Sequence, residues 1–184
     1  MRRNRSESSK GTSAWRRLQR KGTARWFVLL FALGLAANAS RANELALLLN
    51  GKAYHMPHKQ NNHLNENNWG AGLQYDFDQD GNWISFINAS VFKDSNYNTS
   101  YYAGGGRMRR YVIRTDAPRL HVDAGFVAFL MHRMEFRDGD LFPGILPALS
   151  LGTDRVALNI TYVPKVDPKM VELLFLQLKI RIGK

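Results

Sequence analysis

Residues 69 to 77 read WGAGLQYDF, and their spacing decides the architecture. Trp69, Ala71, Leu73, Tyr75 and Phe77 fall on one face of an extended chain, and Gly70, Gly72, Gln74 and Asp76 on the other. Side chains alternate across a strand with a period of two, so this is a strand with one apolar face and one small or polar face. Two architectures use such strands: a soluble barrel of the lipocalin type, with its apolar face inward, and a membrane barrel, with its apolar face toward lipid.

The same periodicity continues on both sides. A turn signal at Asp80 and Gly81 separates this strand from an apolar run, Trp83 to Phe92. Further segments run from Asn98 to Ile113, Arg119 to His132, Gly144 to Gly152, Arg155 to Val163 and Met170 to Ile182. With ELALLLNGKAYHM (residues 44–56) in front, eight strands are expected. Segments of this length fit the ~9–11 residues that a tilted strand needs to cross a bilayer, and an even number lets the sheet close without edges. Trp69, Trp83, Tyr97, Tyr111, Phe142 and Tyr162 lie near strand ends, where a membrane barrel carries its aromatic girdles. The expected fold class is an all-β, eight-stranded antiparallel transmembrane β-barrel.

Charge places the chain outside the cytoplasm. The formal net charge is +11, but residues 1 to 39 carry nine Lys and Arg against one Glu, and the remaining residues 17 against 14. That basic segment precedes WFVLLFALGLAA (residues 26–37) and the small residues ANA, the pattern of a cleaved signal peptide. The expected organisation is a signal peptide over 1–39 and one barrel over 40–184. The sequence has no cysteine, so an exported product is stabilised by burial and hydrogen bonding alone. With so small a charge outside the leader, the arginines of GRMRR, Arg107, Arg109 and Arg110, read as a headgroup-facing patch, and no nucleic-acid partner is expected.

Few side chains carry chemistry. His55, His58 and His63 cluster after the first strand, but their loose spacing, with no Cys or nearby carboxylate pair, does not make a metal site. One of them could act as a base. FKDS (residues 92–95) follows the strand of Trp83 and reads either as an ordinary turn or as reactive groups held at a rim. In an extended strand Asp94 and Ser95 point to opposite faces, so both cannot meet one histidine unless the chain bends.

In their order and spacing, NENNWGAG (65–72), DGNW (80–83), FKDS (92–95), AGGG (103–106), ILPALS (145–150) and TYVP (161–164) resemble the lipid A palmitoyltransferase (PagP) family of Gram-negative outer membranes, from about Tyr54 to the final strand. The resemblance implies transfer of an acyl chain from a phospholipid to a hydroxyl of lipid A in the outer leaflet, without cofactor or metal. It implies catalytic roles for His55 as base, Asp94 as its orienter or as a stabiliser of positive charge, and Ser95 as hydrogen-bond donor or nucleophile. It places Gly106 at the floor of an acyl pocket, and Pro147 and Pro164 beside a lateral opening. Asn50 and Asn68 stand where the family has prolines around a second opening. The partners expected are a phospholipid, lipid A and outer-membrane lipid, with the protein a monomer. A catalytically silent barrel and a lipid hydrolase are the alternatives.

Overall fold

The computed structural model describes residues 44–56, 64–77, 81–116, 118–165 and 171–182. The expected leader, residues 1–39, and His58 and His63 lie outside the described residues. Eight antiparallel strands pair in chain order: β1 (Glu44–Met56), β2 (Asn67–Asp76), β3 (Trp83–Lys93), β4 (Thr99–Arg114), β5 (Leu120–His132), β6 (Phe142–Thr153), β7 (Val156–Val163) and β8 (Glu172–Ile182). Pairing of β8 with β1 closes the barrel, so no strand edge runs its length unpaired. A bilayer imposes that closure because its interior offers no water to backbone groups.

The barrel is inside out relative to a soluble one. Leu73, Val91, Leu130 and Ile145 are exposed, whereas Asn50, Gln74, Ser100, Asp123 and Gln177 are buried in the lumen. This distribution settles the choice between the two barrel types: the apolar face of WGAGLQYDF points outward, toward lipid. Trp69, Trp83, Tyr97 and Tyr111 are exposed as the girdle requires. Phe142 departs from that expectation. It is buried inside, with its ring 4.4 Å from that of Phe136.

The arginines of GRMRR also divide by alternation. Arg107 and Arg109 lie outside, over the rings of Trp83 (5.0 Å) and Tyr111 (5.6 Å). Arg110 turns inward and forms a two-toothed pair with Asp123, at 2.8 and 2.9 Å. Asp154 and His121 join that group, and Lys179 pairs with Asp76, which also accepts from Gln74 Nε2 at 2.6 Å. These charges are packed across the turn end of the lumen. Above them Phe86, Met108, Val127 and Ala148 form an apolar cluster.

Candidate active site

His55 reaches the lumen through an irregularity. On β1, Ala46, Leu48 and Asn50 are buried, but beyond Gly51 the buried positions become Ala53 and His55. The register shifts between Asn50 and Lys52 against β2, and between Asn50 and Ala53 against β8. Such a bulge re-aims the side chains that follow it. Here it turns His55 inward (1% exposed) and Tyr54 outward (45%).

Ser95 reaches the same point because β3 ends at Lys93. Asp94 to Asn98 form a turn closed by Asp94 N–H to Asn98 O (2.9 Å) and Tyr97 N–H to Asp94 O (3.1 Å). Tyr97 adopts φ +63°, in the left-handed region. The Asp94 carboxylate holds the turn: Oδ1 accepts from the amides of Asn96 (2.9 Å) and Asn98 (3.0 Å), and Oδ2 from Ser100 Oγ (2.8 Å). The NENN segment clamps it from the side. Asn65 donates its amide to Ser95 O (2.7 Å) and its Nδ2 to Asp94 O (3.1 Å), while Asn68 Nδ2 donates to Lys93 O (2.6 Å).

The result is a buried hydroxyl–imidazole pair, with His55 Nε2 2.9 Å from Ser95 Oγ. Glu66 Oε1 lies 3.9 Å from the other ring nitrogen. Asp94 and Ser95 are therefore both buried at the rim, but they do different work. Ser95 meets the imidazole, whereas the bonds of the Asp94 carboxylate go to the turn and to Ser100, and Arg133 Nε lies 3.8 Å from it. Asp94 thus holds the turn that carries Ser95. A carboxylate that does face the ring is that of Glu66, inside NENNWGAG, a residue for which no local pattern in the sequence suggests a role.

Below this pair opens a cavity of about 330 Å³, bordered by Asp94 and Ser95 at the mouth and by Asp123 and Lys179 at the far end. Its walls are largely apolar, with Phe92, Phe129, Met131, Phe142 and Leu146 among them. Gly106 does not border it. A Cβ at Gly106 would stand 2.5 Å from Phe86 Cζ, so the Phe86 ring covers the glycine and presents itself to the cavity at that level.

The wall is slit on one side. The β6–β7 ladder runs only from Ala148↔Thr161 to Gly152↔Ala157. Toward the rim, Phe142 to Pro147 still pair with β5, and Tyr162 and Val163 with β8, but not with one another. Pro147 stands where the ladder stops, and Pro164 follows the last residue of β7. Proline is tolerated there because an edge needs no ladder donor. Pro143 and Ile145 sit on the outer face yet border the cavity, as a gap in the wall requires. The opposite side is joined. Lys52 pairs with Asn67, and Ala53 N–H donates to Glu66 O at 2.9 Å. Asn50 turns inward there, donating to Ser90 Oγ (2.7 Å) and accepting from Gln177 Nε2 (2.5 Å).

A closed barrel with its apolar face outward, a slit in one side and a histidine–serine pair beside an apolar cavity defines a transmembrane β-barrel with a candidate active site. The chain belongs to the family described as "Antimicrobial peptide resistance and lipid A acylation protein PagP", whose model matches residues 37–179. Similar proteins include the lipid A acyltransferases PagP of Laribacter hongkongensis (36% identical over 54% of this chain and 47% of that protein) and Bordetella pertussis (37%, over 55% and 54%). The chain thus spans about half the length of the curated relatives it matches. Similar solved structures include Yersinia pestis outer membrane protein Ail (TM-score 0.43, 11% identity, 77% of this chain and 100% of that one) and Neisserial surface protein A (TM-score 0.41, 15% identity, 77% and 96%).

Proposed function

We propose that this protein is an outer-membrane lipid A acyltransferase that takes an acyl chain from a phospholipid. The observation that carries the reading is the 2.9 Å contact between His55 Nε2 and Ser95 Oγ at the mouth of the cavity. With the proton on Nδ1, toward Glu66, Nε2 is an acceptor and His55 can serve as general base. The acceptor hydroxyl gives its proton to His55 as its oxygen bonds to the donor ester carbon. The ester C–O bond of the phospholipid then breaks, and the proton passes to the departing lysophospholipid oxygen. On this reading the Ser95 hydroxyl turns from Nε2 to donate to the reacting ester oxygen, or attacks first and holds the chain in transit.

The rest of the barrel serves the same reaction. The cavity takes the acyl chain, and the slit between β6 and β7, flanked by Pro147 and Pro164, lets it enter from the leaflet on the rim side. All of these groups belong to one chain, so a monomer suffices. The test is mass spectrometry of lipid A from a host expressing the protein. The parent adds an acyl group, and His55→Ala and Ser95→Ala lower that addition by ~10²–10⁴-fold, the usual worth of a positioned acid–base group. Free fatty acid without acylated lipid A would identify a hydrolase. An inserted parent that changes no lipid would leave a silent barrel.

A further inference from the structure

The mouth holds a cation whose hydrogen-bonding capacity is unspent among the described residues. Arg133 follows β5, and its side chain borders the cavity beside Asp94 and Ser95. Among the described residues the guanidinium donates no hydrogen bond. Its Nε is buried without a hydrogen bond, and its ion-pair partner, Asp94 Oδ2, is 3.8 Å away, beyond hydrogen-bond reach. Asp94 is already engaged by two backbone amides and the Ser100 hydroxyl.

Several other charges near the rim, among the described residues, already have neighbours of their own. Glu135 accepts from Asn96 and, at 3.2 Å, from Asn98, and Lys93 donates to the Thr99 hydroxyl at 3.0 Å. Arg137 lies 6.0 Å from the centre of the Phe136 ring, and Glu66 faces His55. A guanidinium with a buried, unbonded N–H is costly unless a ligand completes it. Its planar fork of donors suits an oxyanion bound through two oxygens, phosphate above all.

Resting on the reading of a phospholipid donor, we propose that Arg133 binds the phosphate of that donor and so sets its ester against Ser95 and His55. Chemistry and placement agree. In a glycerophospholipid the phosphate and the acyl ester are separated only by the glycerol carbons, and here the anion site and the hydroxyl–imidazole pair share one rim. Asp94 links the two, because the carboxylate that holds the turn of Ser95 also stands beside the guanidinium. Arg133 is a binding residue for the headgroup and takes no part in proton transfer.

The experiment compares the purified parent, Arg133→Gln and Arg133→Lys in neutral detergent. Binding is measured for phosphatidylglycerol, for diacylglycerol with the same chains, and for lipid A. The parent is expected to hold phosphatidylglycerol about 10- to 100-fold more tightly than diacylglycerol, the range of a charge-assisted contact. Arg133→Gln is expected to bind the two alike, and Arg133→Lys to keep part of the preference. A glutamine variant that retains the parent's preference overturns the proposal, as does equal weakening toward both lipids. Loss confined to lipid A also overturns it, since the cation would then serve the acceptor. Acyl transfer is read separately on the same samples: a parent that binds with this preference yet transfers nothing removes the acyltransferase reading and leaves the phosphate site standing.

Discussion

Replacing Phe86 should lengthen the acyl chain that the barrel transfers. The ring is 5% exposed and packs in the cluster with Met108, Val127 and Ala148. It faces Gly106 in the β3–β4 register, and a Cβ on that glycine would lie 2.5 Å from its Cζ. The glycine is therefore the bed on which the ring lies, and the ring is what a chain in the cavity meets. Phe86→Ala vacates a six-carbon ring. If two to four methylenes of a longer chain fill that space, at ~0.8 kcal/mol each they gain ~1.6–3.2 kcal/mol. That is a change of roughly 15- to 200-fold in preference between chain lengths. Truncating a buried Phe costs about 3–5 kcal/mol of stability, so Phe86→Leu should be measured beside it as the gentler change. In the assay, purified variants receive phospholipids of mixed chain length and the product lipid A is weighed. Conversely, Gly106→Met should drive the ring into the cavity and shorten the chain, although its Cβ also meets the backbone oxygen of Phe126 at 2.3 Å and strains the wall. If folded Phe86→Ala and Phe86→Leu both return the parent's product distribution, the reasoning is wrong.

Three further outcomes are expected. Glu66→Gln should slow transfer about tenfold, ~1.4 kcal/mol of barrier, by loosening the ring of His55, and an unchanged rate would make Glu66 a bystander. Cysteines at Leu146 and Val163, which would face one another if the Ala148↔Thr161 ladder continued toward the rim, should stop transfer when oxidised and restore it when reduced. The chain has no other cysteine to interfere, and full activity of the bridged form would argue against the slit. Asp123→Ala should lower unfolding stability in lipid by ~3 kcal/mol, because the buried Arg110 loses its two-toothed partner and keeps only Asp154, at 3.4 Å. Adding Arg110→Leu should recover most of that loss.

Much of the barrel was legible from alternation alone. β1 occupies the residues expected of it, Glu44–Met56, with Leu45, Leu47 and Leu49 on one face and Ala46, Leu48 and Asn50 turned inward. β6 is longer than read, starting at Phe142, because its prolines look like strand breakers until the wall beside them is known to be open. Phe142 was assigned to the girdle for its position near a strand end, yet strand parity sends it inward to Phe136. The orientation of His55 could not follow from a strict period of two. The shift in register between Asn50 and Ala53 changes which residues face the lumen, and the only trace of it in the sequence is Gly51 within the strand. Asp94 and Ser95 defeated the two-face argument because the strand stops one residue before them. Arg133 and Glu66 acquire meaning only from neighbours far along the chain, which no local pattern reveals.

The ion pairs at the turn end have a consequence for permeability. Lys179 with Asp76, and Arg110 with Asp123, Asp154 and His121, act as a stopper in a tube that would otherwise cross the bilayer. Such a stopper predicts that cells carrying the protein show no added conductance. With the proposed lipid route through the slit, the same stopper that keeps the membrane tight would also fix the single sheet of lipid from which cargo comes.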